Sequence, residues 1–171
     1  LHFRTHEDIY DRAYFEEVDR DAQRSMEPIA DSIVRCFHPQ RALDVGCGTG
    51  VLLDNLRVRG VNVFGLEYSE PALAYCQQRH LQVEKFDLES DQPLASLAVD
   101  VVISMEVAEH LPERVADRYV DLLTVSGPVV IFTAAPPGQG GNDHVNEQPK
   151  AYWIDKFASR GFHFDAVLTA T

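Results

Sequence analysis

The residues best able to do chemistry gather in two short stretches and one loop. Met105-Glu106-Val107-Ala108-Glu109-His110-Leu111-Pro112 sets two carboxylates and an imidazole within five residues. Such a set can take a proton from an acceptor hydroxyl, or hold a divalent ion that lowers the acceptor oxygen's pKa and fixes its aim. Carboxylates suit magnesium or manganese, and an added imidazole extends the choice to zinc or iron. Further on, Asn142-Asp143-His144 lies in a loop rich in glycine and proline, and His144 joins the set only if that loop folds back toward His110. His2, His6, His38, His80 and His163 fall at termini, turns or strand starts and read as structural or solvated.

The second stretch is Leu43-Asp44-Val45-Gly46-Cys47-Gly48-Thr49-Gly50, with three glycines at alternate positions where a buried strand turns into a helix. Glycine permits the positive φ and the close backbone approach that a bound cofactor needs there. The spacing G-x-G-x-G is neither the G-x-G-x-x-G of dinucleotide folds nor a P-loop with its Lys. Two acids give it meaning. Glu67, 17 positions after Gly50, ends the next strand, where a carboxylate can accept both hydrogen bonds of a ribose diol. Asp87 ends the third strand, at a place suited to an adenine edge. Tyr68, Leu88 and Met105, at the same strand ends, count with Asp44, Gly46, Cys47, Gly48 and Gly50 as expected cofactor contacts, Cys47 as a small filler and not a nucleophile.

These residues need a scaffold of alternating strands and helices. From about Arg41, apolar runs alternate with helix-periodic stretches, the rhythm of βα units around a mostly parallel, doubly wound sheet. Strands are expected at 42–45, 61–66, 82–86, 99–104, 128–133 and 162–170. Helices are expected at 50–59, at 70–79 with Ser69 as N-cap and Pro71 in the first turn, at 112–123 and at 149–160. Residues 13–37 carry Ile29, Ile33, Val34 and Phe37 at helical spacing, so residues 1–40 are expected to be a helical segment packing on a single domain spanning 41–171. The loop 135–148 exceeds the usual connection length, which marks functional or disordered segments.

The segment from Asp44 to Gly50, with Glu67 and Asp87, resembles the class I S-adenosylmethionine-dependent methyltransferases over roughly Leu43 to Gly161. The resemblance implies a Rossmann-like fold of seven strands, of which this chain reaches about the sixth, with S-adenosylmethionine bound at the glycine turn and the two acids. Tyr10 and Tyr14 sit where early tyrosines cover the cofactor in some relatives, or else pack half-buried. Glu-x-x-Glu-His resembles the ubiquinone-biosynthesis O-methyltransferases and the small-RNA terminal 2′-O-methyltransferases. In the latter, two Glu and two His hold a catalytic divalent metal, which carries over to Glu106, Glu109, His110 and His144, the last followed by Tyr152-Trp153. The same stretch occurs in metal-free enzymes, where the His orients substrate and acids such as Glu109 support helix starts. Metal-assisted and metal-free His-assisted catalysis, with Glu106, His110 and His144 as the catalytic set, therefore both stand. The stretch 137–153 is similar to bacterial and viral methyltransferases of glycan or small-metabolite pathways. Gln139, Asn146 and Gln148 can wall a sugar, while Trp153 is expected to anchor the loop under the sheet edge.

Composition narrows the partners. The 171 residues are 45% hydrophobic and 25% charged, ordinary for one globular domain. Fifteen Lys and Arg against 27 Asp and Glu give a net charge of −12, which opposes docking on phosphate backbones or anionic membranes. A small polar acceptor, a sugar or other hydroxylated metabolite, is expected, with an RNA 2′-O-methyltransferase and a cofactor-binding module without catalysis as alternatives. No apolar run approaches a membrane span. Three cysteines without paired spacing point to the cytoplasm. A chain opening at Leu1 and closing near a strand is expected to be part of a longer protein.

Overall fold

A computed structural model describes residues 12–90 and 97–169. Five strands form one parallel sheet: β1 (Arg41–Val45), β2 (Asn62–Glu67), β3 (Val83–Lys85), β4 (Val101–Met105) and β5 (Val129–Thr133), in the order β3-β2-β1-β4-β5. The α/β reading from sequence holds, and each of the first five expected strands lies within two residues of its observed bounds. Sequence order reverses direction at β1, so the crevice outside the carboxyl ends of β1 and β4 is where an open α/β sheet takes its ligand.

Strand residues are apolar on both faces because helices cover both. On one face Leu43, Val45 and Val102 pack with Tyr119, Val120 and Leu123 of α4 (Ala116–Ser126) and with Trp153 of α5 (Lys150–Ala158). On the other, Ala42, Val63, Val101 and Ile103 pack with Leu52, Leu53 and Leu56 of α2 (Val51–Val58) and with Ala30 and Ile33 of α1 (Arg12–Phe37). Helix α3 (Glu70–Gln78) begins after Ser69 as expected, but the Ser69 hydroxyl makes no capping hydrogen bond. Among the described residues no helix is long and apolar enough to cross a membrane.

Two expectations are corrected. The segment read as a sixth strand is coil followed by a short helix, α6 (Ala166–Thr169), with Phe164, Val167 and Leu168 exposed. Asp165 decides this locally: its carboxylate accepts the Val167 and Leu168 N–H groups, and its carbonyl accepts the Thr169 N–H. An Asp that caps its own following backbone competes with a ladder. The helix read at 112–123 starts instead as two 3-10 turns, Ala108–His110 and Glu113–Val115, before α4 proper. Glu109 thus lies in a separate turn and is fully buried, so it is no helix-start acid.

Candidate active site

A cavity of about 760 Å³ opens at the carboxyl ends of β1, β2, β3 and β4. Every expected cofactor residue except Gly50 lines it. Gly50 acts behind the wall: it has φ 78°, and a Cβ there would stand 2.5 Å from Leu81 Cδ1. Gly46, at φ 77°, has no room either, since its Cβ would stand 2.5 Å from Val107 Cγ2. The glycine turn is therefore packed against the stretch that carries Glu106, Glu109 and His110.

Glu67 organises the turn. Its Oε2 accepts the Gly48 N–H at 2.8 Å, and its Oε1 accepts the Tyr68 and Ser69 N–H groups at 2.8 and 2.7 Å. Burial pushes its pKa up and these backbone donors pull it back. Asp44, with 5% of its surface exposed, is pushed up to about 7 by burial and then by the neighbouring Glu67 carboxylate. Asp87 closes an Asx turn, its Oδ1 accepting the Glu89 N–H at 2.8 Å. Cys47 is driven well above the usual thiol range, first by a hydrogen bond with Cys76 and then by burial, as suits a filler.

The roof of the cavity is α1, through Tyr14, Phe15 and Val18. Tyr10 lies outside the described residues. Sequence reading missed what holds this roof: Arg79 Nη2 donates to both oxygens of the buried Asp19 carboxylate at 2.8 and 2.9 Å, and Nη1 donates to the Thr49 carbonyl. Sixty positions separate the two charges, so no local pattern announces the pair.

At the far end the acids and imidazoles converge. One ligand-capable atom each of Glu109, His110 and His144 lies within 4.8 Å of the other two. The loop does fold back: the Glu109 carbonyl accepts the Val145 and Asn146 N–H groups, and the His110 and His144 rings meet edge to face at 4.9 Å. Glu109 Oε1 accepts the Ala135 N–H, while Oε2 is buried without a hydrogen-bond partner among the described residues. Burial raises the Glu109 pKa, and the adjacent Glu106 charge raises it further.

Glu106 stands outside this triad. It lines the cavity in an exposed position at φ 55°, with Thr133 Oγ1 donating to its Oε1 at 2.7 Å. Only His110 of the triad lines the cavity, and Glu109 and His144 stand behind it. Of the expected sugar-facing residues, Asn146 is buried: its Oδ1 accepts from Gln148 Nε2, while its Nδ2 has no hydrogen-bond partner among the described residues. Trp153 is buried against Phe132 and Tyr152, the packing role expected of it.

Known proteins resemble this chain in sequence and fold. Residues 43–131 match the family model described as a methyltransferase domain. The ubiquinone biosynthesis O-methyltransferase of Pseudomonas syringae is 31% identical over 127 residues, 66% of this chain and 47% of that protein. Its counterpart in Pseudomonas putida is 30% identical over 143 residues, 72% of this chain and 56% of that one. The chain thus spans about half the length of the curated relatives it matches. The magnesium protoporphyrin IX methyltransferase of Synechocystis, solved with bound SAH, shares the fold at a TM-score of 0.69, with 19% identity over 88% of this chain and 77% of that one. With its glycine turn, its parallel sheet and half of its length inside the family model, the chain belongs to the class I S-adenosylmethionine-dependent methyltransferases.

Proposed function

We propose that this chain binds S-adenosylmethionine in the cavity and transfers its methyl group to an oxygen of a small hydroxylated acceptor, with a divalent cation held by Glu109, His110 and His144. The observation that carries the reading is the meeting of those three side chains at the cavity's end, with a buried carboxylate oxygen left unpartnered there. A hard or borderline cation suits a carboxylate and two imidazoles, and when bound it would lower the pKa of an acceptor oxygen. Transfer breaks the sulfonium S–CH3 bond and forms an O–CH3 bond in line, so the protein's main task is positioning. Gly46, Gly48 and Glu67 would hold the ribose side of the cofactor and Asp87 the adenine side. Glu106, at the rim beside Glu109, would take the acceptor's proton to solvent.

A sugar is one acceptor of the right chemistry. An RNA 2′-hydroxyl is disfavoured by the net charge of −12. The three free cysteines fit a reducing compartment such as the cytoplasm. The test is calorimetric: S-adenosylhomocysteine is titrated into chelator-stripped protein, then Mg2+, Mn2+ and Zn2+ into the complex, beside Glu109→Gln and His144→Ala. Stoichiometric metal binding lost in both variants is expected. Cofactor binding without metal binding would leave a His-assisted enzyme or a module without catalysis, and absence of cofactor binding would sink the reading altogether.

A further inference from the structure

Glu147 is the acid in the 135–148 loop that no sequence pattern singled out. Its Oε1 lies 2.9 Å from His144 Nδ1 and accepts the Gly140 N–H at 2.7 Å, while its Oε2 accepts the Gly138 N–H at 2.7 Å. The His144 and Glu147 side chains keep only 12% and 18% of their surface exposed. Both Glu147 oxygens face backbone N–H groups, which can only donate, so the carboxyl group is held as an acceptor. An ionised carboxylate only accepts hydrogen bonds, so His144 Nδ1 must carry the proton. His110 reaches the same state through a different acceptor, its Nδ1 lying 3.3 Å from the Asp143 carbonyl, which also only accepts. A Cβ at Gly141 would collide with Nε2, Cε1 and Cδ2 of the His144 ring, so the backbone is kept bare where that ring packs on it.

We propose that Glu147 is the positioning residue of the site, fixing His144 as its Nδ1–H tautomer so that Nε2 is the nitrogen left with a lone pair. A carboxylate behind an imidazole sets which nitrogen is basic and holds the ring's orientation, as second-shell acids do for ligating histidines. The three acceptor contacts of Glu147 bind two loop N–H groups and one imidazole with a single side chain, so loop conformation and ring tautomer are set together. That His144 then serves a cation rests on the function proposed above, whereas its tautomer does not.

The experiment reads the tautomer directly. Long-range 1H–15N spectra of 15N-labelled protein, recorded above the imidazole titration range, are compared for wild type, Glu147→Gln and Glu147→Ala. Saturation with S-adenosylhomocysteine is checked first in each, as evidence of an intact fold. Wild-type His144 is expected to show a protonated Nδ1 and a lone-pair Nε2. Glu147→Ala should shift it toward the Nε2–H form that unconstrained imidazoles prefer, with Glu147→Gln in between. Zn2+ affinity measured by calorimetry should fall about 10- to 100-fold in Glu147→Ala, the range seen when such outer acids are removed. An Nε2–H His144 in the wild type, or a tautomer unmoved by Glu147→Ala, overturns the proposal. So does a tautomer that moves while Zn2+ affinity stays the same. A wild type that binds no Zn2+ refutes the metal reading alone, and the tautomer shift still decides for or against Glu147.

Discussion

Gly46 and Val107 offer a test in which two physical costs separate. Gly46→Ala places a methyl group 2.5 Å from Val107 Cγ2 and 3.2 Å from Cγ1, on a backbone held at φ 77°. The left-handed conformation costs a non-glycine residue about 1–2 kcal/mol. Forcing a methyl into filled space costs about 1–3 kcal/mol more. Together these predict a loss of about 3 kcal/mol, which urea unfolding would register as a fall of about 1.5 M in midpoint at a slope near 2 kcal/mol/M. Val107→Ala removes both atoms that the new methyl would strike, so in that background only the conformational cost remains. The double-mutant cycle should therefore show a coupling of about 1–3 kcal/mol. Because Val107 lies between Glu106 and the Ala108–His110 turn, the single variant should also disturb the triad, and the double variant should restore it. A coupling near zero would falsify the claim that the glycine turn and the Glu106–His110 stretch are packed directly on each other.

Three further outcomes are expected. Arg79→Met leaves the buried Asp19 carboxylate without its cation, with the Gln23 amide still donating to it, and should cost about 2 kcal/mol in thermal unfolding and weaken S-adenosylhomocysteine binding, while Asp19→Leu/Arg79→Met recovers most of the stability but not the roof's grip. If the single variant is as stable as wild type, the ion pair is not what holds α1 down. Asp44 has a folded pKa of about 7 against an ordinary 3.8, so it supports the fold below about pH 4, and this support is lost as pH rises through about 7. Asp44→Asn should then gain on the order of 4 kcal/mol over wild type between pH 4 and 8 in ligand-free urea titrations, and equal curves at both pH values would refute the burial argument. Gly141→Ala should dislodge the His144 ring and weaken divalent metal binding about tenfold without changing cofactor affinity, measured by paired calorimetric titrations.

Periodicity made the sheet legible as far as β5, because both faces of each strand must be apolar under two helical layers. It misled at 162–170, where Phe162, Phe164 and Val167 look strand-like but Asp165 satisfies the backbone locally. At the site, Glu67 and Asp87 were readable because strand ends are the one place such sheets gather ligands. The triad was half readable. Glu109 and His110 are neighbours in sequence, but the return of His144 depends on how the loop folds, and Glu106 lies outside the triad with its carboxylate accepting from Thr133 of β5. Asp19 and Arg79 were invisible for a common reason: each is an ordinary charged residue whose partner is fixed by tertiary structure. For Glu147 a faint signal existed in His144-x-x-Glu147 beside Gly138 and Gly140, since glycine N–H groups near an acid invite an anion.

The loop's attachment has an evolutionary side. Val145 and Asn146 are tied to the site through the Glu109 main-chain carbonyl, a group that every amino acid carries. Registry between the loop and the 3-10 turn is thus independent of the side chains at 145 and 146. Pro136, Pro137, Gln139 and Asn142, exposed and beyond that seam, can change in type while His144 returns to the same place, whereas Gly138, Gly140 and Gly141 are held by the Glu147 and His144 contacts. A lineage built on this chain can therefore vary the outer face of the loop without disturbing the seam that brings His144 back to Glu109.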